Sequence, residues 1–77
     1  MVKVYTVTGC PNCEKVKRYL ASKDVDFVAY DIEQNDAARA EAKRLTGMDY
    51  AVPVTTIDNE NFVMDFDKKA LDELLCL

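Results

Sequence analysis

Histidine is absent from these 77 residues, and cysteine is scarce, with three in all. Two of the three form the C-x-x-C pair Cys10 and Cys13, a spacing that also serves as half of a zinc site. Structural zinc sites use four protein ligands almost without exception. With no histidine and no second cysteine pair, only the distant Cys76 could join them, so no metal is expected. Also missing is any apolar run of the roughly 18 residues that would cross a membrane, and no membrane partner is expected. The N-terminus passes from Met1-Val2-Lys3 straight into Val4-Tyr5-Thr6-Val7. That stretch is too short for the apolar core of a secretory signal, and a cytoplasmic location is expected. There C-x-x-C is more often catalytic than structural. An acidic chain without an extended basic stripe does not suit nucleic acid. No repeat, linker or low-complexity segment interrupts the chain, which reads as one domain over residues 1–77 with a thin core.

What is present is an ordinary globular composition, 49% hydrophobic and 31% charged, with its charge unevenly spread. Residues 1–23 hold Lys3, Lys15, Lys17, Arg18 and Lys23 against Glu14 alone, five positive against one negative, or +4. The remainder holds five basic and 13 acidic residues, or −8, which brings the whole chain to −4. The cluster Lys15-Val16-Lys17-Arg18 directly follows the dithiol. Lys15 and Arg18 either support a thiolate or an acidic partner, or form a solvated face whose charges are screened within roughly 8–10 Å.

The dithiol sits where its chemistry is favoured. Gly9-Cys10-Pro11-Asn12-Cys13 follows a β-branched run and opens an amphipathic helix. Disulfide exchange needs a thiolate, and a free cysteine, with a pKa of about 8.5, is mostly protonated near neutrality. A helix start offers unsatisfied N–H groups and the positive end of the helix dipole. Pro11 suits the first helical position, which makes Cys10 the N-cap and points the N–H groups of Asn12 and Cys13 at its sulfur. Cys13 lies one turn into the helix, shielded but within disulfide reach. Cys10 is therefore the expected nucleophile and Cys13 the resolving thiol. A purely structural bridge is the competing reading, but so small a loop adds little stability. Cys76 lies far from this site in sequence and reads as packing or a spare thiol.

In chain order, Val2 to Val7 reads as a buried strand and Pro11 to about Ser22 as a helix, with Cys13, Val16, Tyr19 and Leu20 facing inward. Val25 to Ile32 reads as a second strand, parallel to the first through the intervening helix. Asp36 to Thr46 reads as a helix with an Ala38, Ala42 and Leu45 stripe, an N-cap within 33–36, and Gly47 as its C-terminal cap. Val54 to Ile57 and Asn61 to Met64 form a hairpin about the turn Asp58-Asn59-Glu60-Asn61. Asp67 caps a last helix carrying Ala70, Leu71, Leu74 and Leu75. The order β-α-β-α-β-β-α is an α/β fold, a four-stranded mixed sheet flanked by three helices.

With these landmarks in this order, the whole chain resembles the glutaredoxins of the thioredoxin-fold superfamily. Cys10-Pro11-Asn12-Cys13 resembles the family's Cys-Pro-Tyr-Cys, Ala51-Val52-Pro53 its Thr-Val-cis-Pro, and Asp67 its acidic residue beside the glutathione amino group. The resemblance implies a thioredoxin-like fold, catalysis by Cys10 and Cys13, and glutathione as co-substrate with no bound cofactor. It implies a substrate or glutathione site made by Pro11, Asn12, Val52, Pro53, Asp65, Phe66 and Asp67. A cis Pro53 would set the Val52 backbone beside Cys10, where its N–H and C=O pair with a bound cysteinyl backbone. Disulfide-containing proteins are the implied partners, and a monomer the implied form.

Three positions depart from the family. Val7 stands where a Lys or Arg usually meets a glutathione carboxylate, Asn12 replaces the motif tyrosine, and Asp65 stands where glycine normally precedes the acidic residue. Losing a charge-assisted contact weakens binding, and the Asp65 carboxylate would repel another. Two cycles therefore stay open. In one, glutathione reduces the protein. In the other, the chain resembles the NrdH-type redoxins, which are reduced by thioredoxin reductase and serve ribonucleotide reductase. A third, non-enzymatic reading is an iron–sulfur cluster held through Cys10 and glutathione; Pro11 speaks against it, since cluster-holding members more often carry Ser or Gly there.

Overall fold

β-branched residues at alternate positions make Val2–Thr6 a strand, β1, that sends successive side chains to opposite faces. The computed structural model describes all 77 residues. After β1 come α1 (Pro11–Ser22), β2 (Phe27–Asp31), α2 (Asp36–Thr46), β3 (Val54–Thr56), β4 (Phe62–Met64) and α3 (Lys68–Leu75). The sheet order is β2-β1-β3-β4, with β1 and β2 parallel and the other two pairings antiparallel. This is the mixed sheet and helix order that the periodicity predicts.

The two faces of β1 have separate cores. Val4 joins Val16 and Leu20 of α1, Val63 of β4 and Leu71 of α3. Tyr5 joins Ile32, Ala38 and Ala42 of α2, and Val54 of β3. Helices thus cover both sides of the sheet, as its two apolar faces require.

The strand ends explain what the fold positions. Thr6 lies opposite Asp31 in the parallel pair, Tyr5 opposite Val54, and Val54 opposite Met64. The segment after β1, the segment after β2, the segment before β3 and the segment after β4 therefore all leave the sheet at one end. Cys10, Val52-Pro53 and Asp65–Asp67 belong to three of them.

Helix boundaries follow local chemistry. Asn35 caps α2 by accepting the Ala38 N–H, and Gly47 closes it at φ 73°, the left-handed conformation that glycine adopts without strain. The second strand is shorter than its alternation suggests. Val25 is not in the ladder: its N–H donates to Leu20 C=O at 3.0 Å, while Lys23 and Asp24 also bond back to α1 carbonyls. The helix end has taken the backbone groups that pairing would need. Ile32 lies just past β2, its N–H on Thr6 C=O at 2.9 Å. Ile57 and Asn61, expected in the hairpin strands, fall in the turn between them, where Asp58 accepts both the Glu60 and the Asn61 N–H.

Candidate functional site: the dithiol at the start of the first helix

Thr8 and Gly9 turn the chain out of β1, with Gly9 at φ 81°. The Thr8 hydroxyl donates to Asp31 Oδ2 at 2.9 Å, and Asp31 Oδ1 accepts the Glu33 N–H at 2.9 Å. The loop carrying Cys10 is thereby tied to the end of the neighbouring strand. Cys10 has extended backbone angles (φ −90°, ψ 111°) and caps α1, with Pro11 following as the first helical residue.

Cys10 Sγ accepts the Cys13 N–H at 3.1 Å, and its carbonyl accepts the Glu14 N–H at 3.2 Å. The two cysteines form a disulfide with Cα atoms 5.2 Å apart, within the usual span for such a bond. Cys10 is partly exposed, whereas Cys13 has no accessible surface. A free third thiol, Cys76, is exposed at the end of α3. No group of three or more His, Cys, Asp or Glu side chains is arranged to hold a metal ion, and no helix is long and apolar enough to cross a membrane.

Of the other residues singled out in the sequence, Val52, Pro53 and Asp65–Asp67 lie on segments leaving the sheet at this end, whereas Arg18 lies two turns down α1. Pro11 and Asn12 are exposed on the first turn of α1. Lys15 and Arg18 are exposed and make no ion pair, while Lys17 pairs with Glu14 at 3.0 Å. The Val52–Pro53 peptide bond is cis. Pro53 is buried, and its carbonyl accepts the Asp65 N–H at 2.9 Å, joining those two segments. The Val52 N–H donates to Tyr50 C=O at 3.0 Å. Val7 packs with Val52 against the core beneath α2.

Asp65 is exposed at φ 58°, a left-handed backbone in which glycine is at ease. Asp67 caps α3, its carboxylate accepting the Ala70 N–H at 3.1 Å. The Phe66 ring packs edge-on to Tyr19, centroids 6.0 Å apart, and against the α1–α3 core. The Tyr19 hydroxyl bonds the Asp72 carboxylate of α3, which holds the Tyr19 phenol above its ordinary pKa.

Two constructions here escaped the sequence reading. One is the Thr8–Asp31 bond. A threonine before glycine and an aspartate at the C-terminal end of a strand beside β1 were the available signals. The other joins Arg39, Asp49 and Tyr50. Arg39 Nε and Nη2 donate to Asp49 Oδ1 and Oδ2 at 3.0 and 2.6 Å, and the guanidinium carbon stands 4.4 Å from the Tyr50 ring centroid. The pairing raises the Arg39 pKa and lowers that of Asp49. Nothing in the spacing of these three residues announced it.

Comparison with known proteins bears on the whole of this arrangement. A family model described as Glutaredoxin matches residues 2–63. An uncharacterized glutaredoxin-like 8.6 kDa protein from the rubredoxin operon of Clostridium pasteurianum is 37% identical over 75 residues, covering 97% of each chain. Glutaredoxin 3 of Escherichia coli K12 is 37% identical over 71 residues, covering 92% of this chain and 84% of that one. The crystal structure of the glutaredoxin from Methanosarcina mazei Go1 superposes with a TM-score of 0.90 at 26% identity, over 99% of this chain and 78% of that one.

Proposed function

The chain belongs to the glutaredoxin family, and from that premise we propose that it is a dithiol thiol–disulfide oxidoreductase that draws its electrons from glutathione. The observation that carries this reading is the unequal exposure of the pair, with Cys10 open at the helix start and Cys13 fully covered behind it.

In the reduced protein the Cys10 thiolate attacks one sulfur of a substrate disulfide. A Cys10–substrate disulfide forms, and the other sulfur leaves as a thiolate that takes up a proton. Cys13, having lost its proton, then attacks Cys10 Sγ. The second substrate sulfur leaves, and the Cys10–Cys13 disulfide is the oxidised product. Two glutathione molecules reverse the change. The first attacks Cys10 Sγ and expels the Cys13 thiolate. The second attacks the glutathionyl sulfur, expels the Cys10 thiolate and leaves as glutathione disulfide. Two electrons pass per cycle.

The Cys13 N–H supports this order of roles, because a donor aimed at Cys10 Sγ favours negative charge on that sulfur whenever it is the leaving or attacking group. Around it, Pro11, Asn12, Val52, Pro53 and the Asp65–Asp67 segment receive the bound thiol, the Val52 backbone pairs with its cysteinyl backbone, and Lys15 and Arg18 add positive charge. Glutathione is a co-substrate in this scheme, no metal or cofactor is resident, and a monomer in the cytoplasm suffices.

Val7 and Asp65 favour a second reading. An apolar, partly buried Val7 and an exposed Asp65 carboxylate are a poor welcome for the carboxylates of glutathione. They suit an NrdH-type redoxin whose reductant is thioredoxin reductase and whose client is ribonucleotide reductase. The deciding experiment follows turnover of a glutathione mixed disulfide with two reductants. Glutathione with glutathione reductase is expected to sustain turnover. Turnover only with thioredoxin reductase, in the absence of glutathione, would transfer the assignment to the second reading.

A further inference from the structure

We infer that Arg39 is a positioning residue that sets how strongly the site favours small disulfides over substrates that pair with the Val52 backbone. The inference rests on the reading above, in which a substrate cysteine pairs with Val52. In the structure that N–H is already engaged. It donates to the Tyr50 carbonyl two residues back, at 3.0 Å. A substrate backbone must displace this bond before it can accept from Val52.

The turn that makes the bond is built from outside. Tyr50 has φ 56°, a conformation that a bulky residue holds only when its surroundings impose it. The surroundings here are identifiable. Asp49 is gripped by both arms of the Arg39 fork, the geometry in which an exposed ion pair is most effective. The same guanidinium lies 4.4 Å from the Tyr50 ring centroid, on its face. One residue of α2 thus fixes two consecutive residues of the connection to β3. The start of that connection is fixed separately, since Thr46 Oγ1 accepts the Met48 N–H at 3.1 Å. Held at both points, the chain keeps the Tyr50 carbonyl on the Val52 N–H. Arg39 touches no reacting atom, and it acts only through Asp49 and Tyr50.

The cost falls on one substrate class. A peptide or protein disulfide that uses the Val52 N–H must open the braced turn. A small symmetric disulfide such as bis(2-hydroxyethyl) disulfide has no amide to offer and is indifferent to it. Loosening the brace therefore changes the ratio between the two classes and leaves the dithiol unchanged.

The test follows oxidation of the pre-reduced dithiol, without glutathione, in wild type, Arg39→Ala and Arg39→Lys by a glutathionylated peptide and by bis(2-hydroxyethyl) disulfide. For both variants the peptide concentration giving half the limiting rate is expected to fall about three- to tenfold, the span of one hydrogen bond, with the limiting rate and both constants for the small disulfide held. Lysine keeps the charge but lacks the fork, so it does not restore the wild-type value. An unchanged or raised half-maximal peptide concentration, or an equal change for both substrates, overturns the inference. Amide hydrogen exchange gives a readout that needs no turnover: the Val52 N–H is expected to exchange faster in Arg39→Ala than in wild type. Equal exchange overturns the inference even where the assay works. Faster exchange in a protein that reduces neither substrate upholds the brace and removes the proposed function instead.

Discussion

α1 and α2 begin in the same way. Each has an extended residue at its N-cap whose side chain accepts the N–H three residues on, Cys13 N to Cys10 Sγ in one and Ala38 N to Asn35 Oδ1 in the other. The cap geometry is shared, and the atom filling it differs. An amide oxygen there ends the helix and does nothing more. A sulfur in the same place satisfies the donor while reduced or bonded, and can exchange its covalent partner. The redox site is thus a helix cap whose acceptor atom is a sulfur. The helices also differ in how they are held. α1 is anchored by Val16 and Leu20, both without accessible surface, whereas α2 buries only Ala38 and Ala42.

Replacing the sulfur breaks the comparison most severely. Cys10→Ser keeps a good cap, so reduced wild type and the variant are expected to unfold within about 0.5 kcal/mol of each other in urea, while disulfide turnover is lost. A large fall in stability would show that the sulfur does more for the helix than cap it. Next come the anchors. Leu20→Ala removes a large, fully buried side chain and is expected to cost about 2–5 kcal/mol, read from the same titration.

Ala42→Leu tests the opposite property of α2, its close approach to the sheet. Overpacking there is expected to cost about 1–3 kcal/mol, and a neutral result would mean the face has room. Asn35→Ala leaves the Ala38 N–H without its acceptor and is expected to cost about 1 kcal/mol with disulfide turnover untouched. That pairs it with Cys10→Ser as its mirror image.

The smallest effect concerns a third kind of acceptor. The Asp58 carboxylate takes the N–H groups of Glu60 and Asn61 and the Asn61 side-chain amide, which lowers its pKa to about 2 from the ordinary 3.8. Because the folded value lies below the unfolded one, its contribution is complete above the ordinary pKa and disappears as pH falls through the lowered one. Asp58→Asn keeps an acceptor and loses the charge. Its urea midpoint is expected to lie below wild type near neutral pH and to meet it as pH falls toward about 2. A constant gap down to that pH would contradict the assignment.

Local chemistry made much of this molecule legible in the sequence. Pro11 after Cys10 and Gly47 after Thr46 mark helix ends because each answers to one backbone requirement at one place. The start of β2 was not legible. Val25 has the residue type of a strand, but its N–H was claimed by a helix carbonyl, and side-chain alternation does not register that competition. The dithiol and the cis Pro53 could be read because each belongs to a short motif. The Thr8–Asp31 tether and the Arg39–Asp49–Tyr50 brace could not, since each joins polar residues 10 or more positions apart. Their meeting depends on strand register and on the path of the α2–β3 connection, and ordinary surface residues look the same until both are known.

Cys13, covered beneath Cys10 and bonded to it, also sets the fate of the site under peroxide. Peroxide converts an accessible thiolate first to a sulfenic acid, and further oxidation to sulfinic and sulfonic acids is largely irreversible. A sulfenic acid at Cys10 would form within reach of the Cys13 thiol. Condensation of the two expels water and regenerates the disulfide already present in the structure. A covered thiol so placed would stop overoxidation at its first step and return the protein to its ordinary oxidised form.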